Sequence, residues 1–510
     1  MEYLKSKNFF SNFTGFLVLV ILLGCTIIMN PVLAQEREEL KDDNITFAVE
    51  SELRIDDGVQ SHLIDVKTHE GVVALSGSVN NILSKDRAGR IAETVKGVRA
   101  VVNNIEVSPV YRSDEQIKND IQKALLNDPA TESYEIDIEV DNGTVILTGT
   151  VESWAEKELA AEVAKGVKGI KELENEINIE YTEERTDFEL TNEIKRSLES
   201  SIWIDDALVE VETENGEVKL SGTVGSASEK SKVYSAAWIV GVKSVNDDNL
   251  KVKWWARDNM RRESKYKDKS DEEIKEAVKD AFLWDPRVIS FKPDIYVEDG
   301  VVTLKGTMES LAAKKAAEKD AENTIGVVRV RNFINVRPAE MLSDKDITQK
   351  VENVLITNPV VDRYELNVTT INGKVYLYGR VNSEFEKSKA EEVASNIKSV
   401  VEVDNNIKVD DEWEPKSDKE IKEDVENELY WSFAVDEDDV DVTVDHGIVT
   451  LTGGVETKWE EQAAIKNAFD GGAKQVVNSL DVTFNFGWPH KGETYNWPEY
   501  RPHSYWPYNP

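Results

Sequence analysis

Gly71-Val72-Val73-Ala74-Leu75-Ser76-Gly77 is the first of six copies of Gly-x-Val-x-Leu-x-Gly in this chain, and this pattern decides the fold. The others run Gly143 to Gly149, Gly216 to Gly222, Gly300 to Gly306, Gly373 to Gly379 and Gly447 to Gly453. Two residues after each closing glycine stands a valine, replaced once by Met308. Turn formers precede the opening glycines, as in Asp141-Asn142-Gly143, Asn215-Gly216, Asp299-Gly300 and Asn372-Gly373. Such pairs mark tight hairpins, because the turn needs a positive φ that glycine adopts without steric cost. Apolar residues alternate on both sides, Ile136, Ile138 and Val140 before the turn and Val145, Leu147 and Val151 after it. Each copy therefore reads as a β-hairpin with one apolar face. The closing glycine shares the inward parity, which predicts either the close approach of a helix or a bulge.

Working outward, a helix precedes each hairpin. Its start is marked by Ser113-Asp114-Glu115-Gln116, Thr186-Asp187-Phe188-Glu189, Ser270-Asp271-Glu272-Glu273, Ser343-Asp344-Lys345-Asp346 and Ser417-Asp418-Lys419-Glu420. Four of these are capping boxes, and their acids suit the positive end of the helix dipole. Ile117, Ile121 and Leu125 then follow at helical spacing, and proline stops the helix at Asp128-Pro129, Asp285-Pro286 and Asn358-Pro359. After the hairpin comes an alanine-lined second helix, as in Ala312, Ala313, Ala316 and Ala317. A third glycine, Gly97, Gly169, Gly241, Gly326 or Gly472, with Ser399 in its place once, is expected to cap that helix. A third strand follows, for example Asn104 to Val107. The fold class is α+β: six tandem αββαβ modules, each a three-stranded mixed sheet with two helices on one face. The last two strands are parallel if they are neighbours, since a helix crosses between them.

The expected organisation is a signal peptide at 1–34 and modules 1 to 6 at 41–109, 113–181, 186–253, 270–337, 343–410 and 417–484. A basic linker lies at 254–269 and an aromatic, proline-rich tail at 485–510. Opening glycines recur after 72, 73, 84, 73 and 74 residues, a period suited to small domains that are individually marginal.

The pattern resembles the BON domain, named for osmotically induced periplasmic and nodulation proteins of bacteria. The resemblance rests on Gly-x-Val-x-Leu-x-Gly-x-Val, on the Asp-Pro after the first helix, and on Gly97-Val98-Arg99-Ala100-Val101-Val102-Asn103-Asn104-Ile105. It implies a non-enzymatic module that attaches to phospholipid surfaces and supports envelope integrity under osmotic stress. Family members resemble one or two such modules behind an export signal, so six is a departure.

The chain has 510 residues, with 61 Lys and Arg against 98 Asp and Glu and a formal charge of −37. That charge repels phosphate backbones and argues against a nucleic-acid partner. Lys5 and Lys7 ahead of an apolar run from Phe13 to Met29, closed by Val32-Leu33-Ala34, read as an export signal. The expected location is the periplasm. Two alternatives are membrane anchoring by the uncleaved run and lipidation at Cys25, the only cysteine, in Leu22-Leu23-Gly24-Cys25.

No catalytic constellation is present, and none of His62, His69, His446, His490 and His503 has a partner at metal-ligand spacing. The expectation is no enzyme, no cofactor and no metal. The most unusual stretch is Lys251-Val252-Lys253-Trp254-Trp255-Ala256-Arg257, continued by Arg261 and Arg262; between 251 and 269 there are eight basic residues against three acidic ones. Lys251, Lys253, Trp254, Trp255, Arg257, Arg261 and Arg262 are the candidate lipid-binding residues, with a linker packed between modules as the competing reading. Trp154, Phe385 and Trp459, near the start of second helices, are expected to staple those helices to their own cores or to wedge into lipid. Tyr376, Tyr378 and Arg380 offer a contact to another module. The tail, with Trp488, Trp497 and Trp506 each before proline, is expected to fold back along a module groove. The leading expectation is an exported protein attaching to envelope phospholipid or envelope proteins. The alternative is a scaffold or chaperone-like binder of exported proteins without lipid contact.

Overall fold

The first helix of each module begins one residue after its cap, and its leading aspartate reaches across to the hairpin turn. The backbone N–H groups of Asn142 and Gly143 donate to the two carboxylate oxygens of Asp114. Asp42, Asp187, Asp271, Asp344 and Asp418 hold their own turns in the same way, all at 2.8–3.1 Å. The turn residue before the glycine is in the left-handed region, φ 53° at Asn142, and its N–H would otherwise point at solvent. An acid at the helix start thus fixes the hairpin to the helix.

The computed structural model describes residues 40–132, 134–181, 185–257, 269–288, 293–362, 364–410, 415–455, 458–482 and 493–496. Lys5, Lys7, the Phe13 to Met29 run, Cys25, Arg261, Arg262 and the tail tryptophans Trp488, Trp497 and Trp506 lie outside the described residues. Each module is helix, hairpin, helix, strand. The second hairpin strand is central, antiparallel to the first and parallel to the third. Register follows parity: Ile136 faces Gly149, Ile138 faces Leu147 and Val140 faces Val145. In module 2 the core gathers Ile117, Ile121 and Leu125 from the first helix with Val145, Leu147 and Val151. Ala160, Ala161 and Ala164 bring the second helix down onto them. Each fully buried Ile or Leu contributes about 1.5–3 kcal/mol. An asparagine stitches the third strand to the second helix: Asn103 donates to the Lys85 carbonyl at 2.7 Å, and Asn175, Asn332 and Asn405 repeat this with Lys157, Lys314 and Lys387.

Three sequence expectations are corrected. A Cβ on Gly77 would lie 2.0 Å from the Leu63 carbonyl oxygen, and one on Gly453 2.0 Å from that of Asp439. The close approach is therefore the backbone of a short 3-10 turn, Ser61–Leu63 or Glu437–Asp439, that leads into the neighbouring strand, not a packed α-helix, and the hairpin ladder runs to these glycines without a bulge. The third glycine lies past the helix end: the second helix of module 2 stops at Lys165, capped by Gly166, and Gly169 with φ 99° shapes the turn into the next strand. Tail residues Glu493–Asn496 form a fourth, antiparallel strand beside Gln475–Val482, so this part of the tail extends a sheet edge instead of filling a groove.

Modules pair in a nested order, first with last. The Lys96 N–H of module 1 donates to the Trp431 carbonyl of module 6 at 3.1 Å. In modules 2 and 5 the contact is reciprocal: Lys168 N–H bonds Thr357 O at 2.8 Å, and Lys398 N–H bonds Asn127 O at 3.0 Å. In modules 3 and 4, Ile325 N–H bonds Ser200 O at 2.8 Å and Ile202 N–H bonds Asn323 O at 3.2 Å. Most of the carbonyls used stand at the last turn of a first helix, where no intrahelical donor remains. Lys168 and Lys398 add ion pairs to Asp362 at 3.1 Å and Glu132 at 2.5 Å, with the cations at the negative helix end.

Candidate functional site

The basic segment begins where the third strand of module 3, Ser244–Val252, runs into a 3-10 turn, Trp254–Arg257. Val252 and Ala256 are buried and tie the turn down. Lys251 is exposed and donates to the Asp248 carbonyl; Lys253 is exposed and its N–H bonds the Val224 carbonyl at 2.8 Å. Trp255 is 37% exposed, whereas Trp254 is half-buried under the Lys96 ammonium, 5.5 Å from the ring centroid. Arg257 closes the turn. Lys96 itself also lies 4.3 Å over Tyr430 and pairs with Glu437 at 2.7 Å. The two tryptophans therefore differ: Trp254 packs between modules, and Trp255 keeps about a third of its surface open to solvent.

The remaining aromatics make contacts that the sequence did not indicate, and Trp459 also keeps the expected place in its own core. Trp154 stacks on Trp238 of module 3 at 5.9 Å. Phe385 lies under Arg87 of module 1 at 4.5 Å, and Trp459 meets Trp203 of module 3 edge-on at 4.9 Å while also lining its own core. All three join modules. Tyr376 and Arg380 instead contact their own module, through Lys374 and Asp410.

Modules 2, 3, 4 and 5, with Leu83 of module 1, meet around a cavity of about 600 Å³. Trp154, Trp238 and Trp284 line it together with Asp128, Glu158 and Asp320. Burial pushes the Asp128 carboxyl up to about 6, and raises Glu158 and, well above the usual range, Asp320. Asp285 in the same wall is matched by Arg287, whose Nη2 lies 2.7 Å from Oδ2. Elsewhere, at the contact of modules 1 and 6, Glu52 and Glu428 face each other beside Lys466, and burial raises both.

A family model described as BON domain matches residues 41–109, 113–181, 186–253, 270–338, 343–411 and 417–483. The chain belongs to the BON domain family. Over 145 residues it is 35% identical to osmotically-inducible protein Y of Escherichia coli (strain K12), covering 27% of this chain and 72% of that protein. Over 178 residues it is 25% identical to the outer membrane lipoprotein DolP of Haemophilus influenzae, covering 30% and 92%. Over 114 residues it is 30% identical to a 21 kDa hemolysin of Actinobacillus pleuropneumoniae, covering 22% and 58%. Among the described residues no group of three or more His, Cys, Asp or Glu is placed to hold a metal, and no helix is long and apolar enough to cross a membrane.

Sequence reasoning missed the cavity between BON modules, because its walls come from segments of five modules. One signal stood in the chain: Asp320 interrupts the alanine-lined helix Leu311–Glu322, where a charge has no place against the module's own sheet.

Proposed function

We propose that this BON protein is exported, resides in the periplasm or is anchored there by an uncleaved signal or a lipid on Cys25, and attaches without catalysis to anionic envelope phospholipid. The attachment supports the envelope under osmotic stress. The segment from Lys251 to Arg262 is the contact. The observation that carries this reading is the outward placement of Lys251, Lys253 and Trp255 on one end of module 3, in a chain whose formal charge is −37. Each cation near an anionic bilayer contributes about 1 kcal/mol, an indole suits the interface, and screening over roughly 8 Å hides distant acids. The relatives named for osmotic induction and for the outer membrane support the same reading.

The test is sedimentation of the mature protein with phosphatidylglycerol vesicles, wild type against a variant with Lys251, Lys253, Arg261 and Arg262 changed to Glu. Wild type should sediment, the variant should stay in solution, and 0.5 M salt should release the complex. Absence of wild-type binding would sink the lipid reading. Mass spectrometry of the native N-terminus decides between cleavage at Ala34, a lipid on Cys25 and an intact signal.

A second reading is a scaffold for exported proteins. It draws on the open sheet face of module 4, where Tyr296 is 55% and Phe333 60% exposed. It predicts protein partners captured by wild type and lost on Phe333→Glu, with no dependence on vesicles.

A further inference from the structure

We propose that the cavity between modules 2, 3, 4 and 5 binds an organic cation, an ammonium group on a hydrocarbon body that also carries an oxygen acceptor. Three features of the wall converge on that chemistry. Asp285 is matched by Arg287, Glu392 by Lys389 at 2.9 Å and Glu162 by Lys165 at 3.3 Å. Asp128, Glu158 and Asp320 remain, all lining the cavity and, among the described residues, none within ion-pair distance of a base. The Asp128 oxygen accepts only backbone donors, such as the Ala130 N–H at 2.8 Å, and the Oδ2 of Asp320 is buried without a hydrogen-bond partner. Burial keeps all three acids above the usual carboxylate range although Arg287 acts on Asp128 and Asp320, Lys319 on Asp320 and Lys165 on Glu158, the state of acids for which the loss of water outweighs the cations nearby.

The second feature is aromatic. Trp154 and Trp238 stack with an interplanar angle of 8°, and Trp284 completes the indole lining. Indole faces attract cations that are weakly hydrated, which favours an alkylated ammonium over a metal ion. The third is the buried Trp238 Nε1, which has no acceptor among the described residues and would donate to an oxygen of the ligand. Lys232 in this wall has no carboxylate within ion-pair distance among the described residues, has Glu93 as its favourable neighbour, and lies over Trp203 at 5.7 Å. A volume near 600 Å³ holds a small amphiphile.

Butyrylcholine is the probe, and its uncharged carbon isostere, 3,3-dimethylbutyl butyrate, the control. Titration of the full-length mature protein, followed by tryptophan fluorescence, should give saturable butyrylcholine binding at least tenfold tighter than the isostere. Asp320→Asn and Glu158→Gln, each nearly isosteric, should each weaken binding about tenfold while leaving the circular dichroism spectrum unchanged. Equal binding of the isostere, no binding of butyrylcholine at millimolar concentration, or unchanged affinity in Glu158→Gln and a folded Asp320→Asn would each overturn the proposal. Displacement by phosphatidylcholine vesicles would assign the cation to a lipid headgroup, and no displacement to a free amine; the site stands in both cases. Its fate is separate from that of the Lys251 segment, since anionic vesicles test one and butyrylcholine the other.

Discussion

Gly453 and Gly454 stand side by side in one strand, yet only the first is constrained. Gly453 has φ 127° and an added Cβ would meet the Asp439 carbonyl at 2.0 Å, whereas at Gly454 the nearest atom is 3.8 Å away. Gly453→Ala should therefore destabilise module 6 by about 3 kcal/mol or more, and Gly454→Ala should change it by less than about 0.5 kcal/mol. Hydrogen exchange of the Val449 and Leu451 amides reads both. The turn clamp makes a pH prediction. Backbone N–H bonds from Gly447 and His446 lower the Asp418 carboxyl, as those from Gly71 and Glu70 lower Asp42. A depressed folded value means that the clamp is intact above the ordinary Asp range near 4 and is lost as pH falls through the lowered one. The Gly447 amide resonance should accordingly titrate with a midpoint below that of free Asp; a midpoint at or above it would contradict the clamp. The glycines were legible in the sequence because backbone geometry leaves a residue-type signature. The clamp was not, because an acid at a helix start is expected on dipole grounds alone, and its target lies 28 or 29 residues on.

Helices and strands followed from periodicity and caps, since those signals are local. What the elements do with their ends was not local. Trp154 opens a second helix, and nothing in its own module indicates that Trp238 waits in another. The same holds for Glu52 and Glu428, on the first helices of modules 1 and 6, each reading as one more surface acid. Burial raises both, and each feels the other's charge or hydrogen bond, with Lys466 between modules as the favourable neighbour. A raised folded value gives the opposite sign to the clamp. Above roughly pH 4.3 the unfolded carboxyl has released a proton that the folded one retains, so stability falls as pH rises from there towards the folded value. Protection of the Val95 and Lys96 amides, corrected for intrinsic exchange, should decline from pH 5 to pH 9. Glu428→Gln should flatten that slope, and an unchanged slope would show that other groups set it.

Across the whole molecule, the six-fold repetition was plain from the sequence, while the nested pairing was invisible, because every module carries almost the same motif and nothing in it names a partner. The backbone bonds at Lys96, Lys168, Lys398 and Ile325 set that order. Cutting the chain at a protease site inserted between residues 258 and 268 should leave modules 1–3 and 4–6 associated through three paired contacts. Size-exclusion chromatography of the cleaved protein should give one peak, and two separated halves would refute the pairing. Nesting also imposes a timetable. Synthesis runs from the N-terminus, so modules 3 and 4 meet soon after they emerge, whereas the first module made must wait for the last. A ribosome that stalls before Trp431 leaves the first-made module's docking edge orphaned, and such truncated chains are the ones quality control will find sticky.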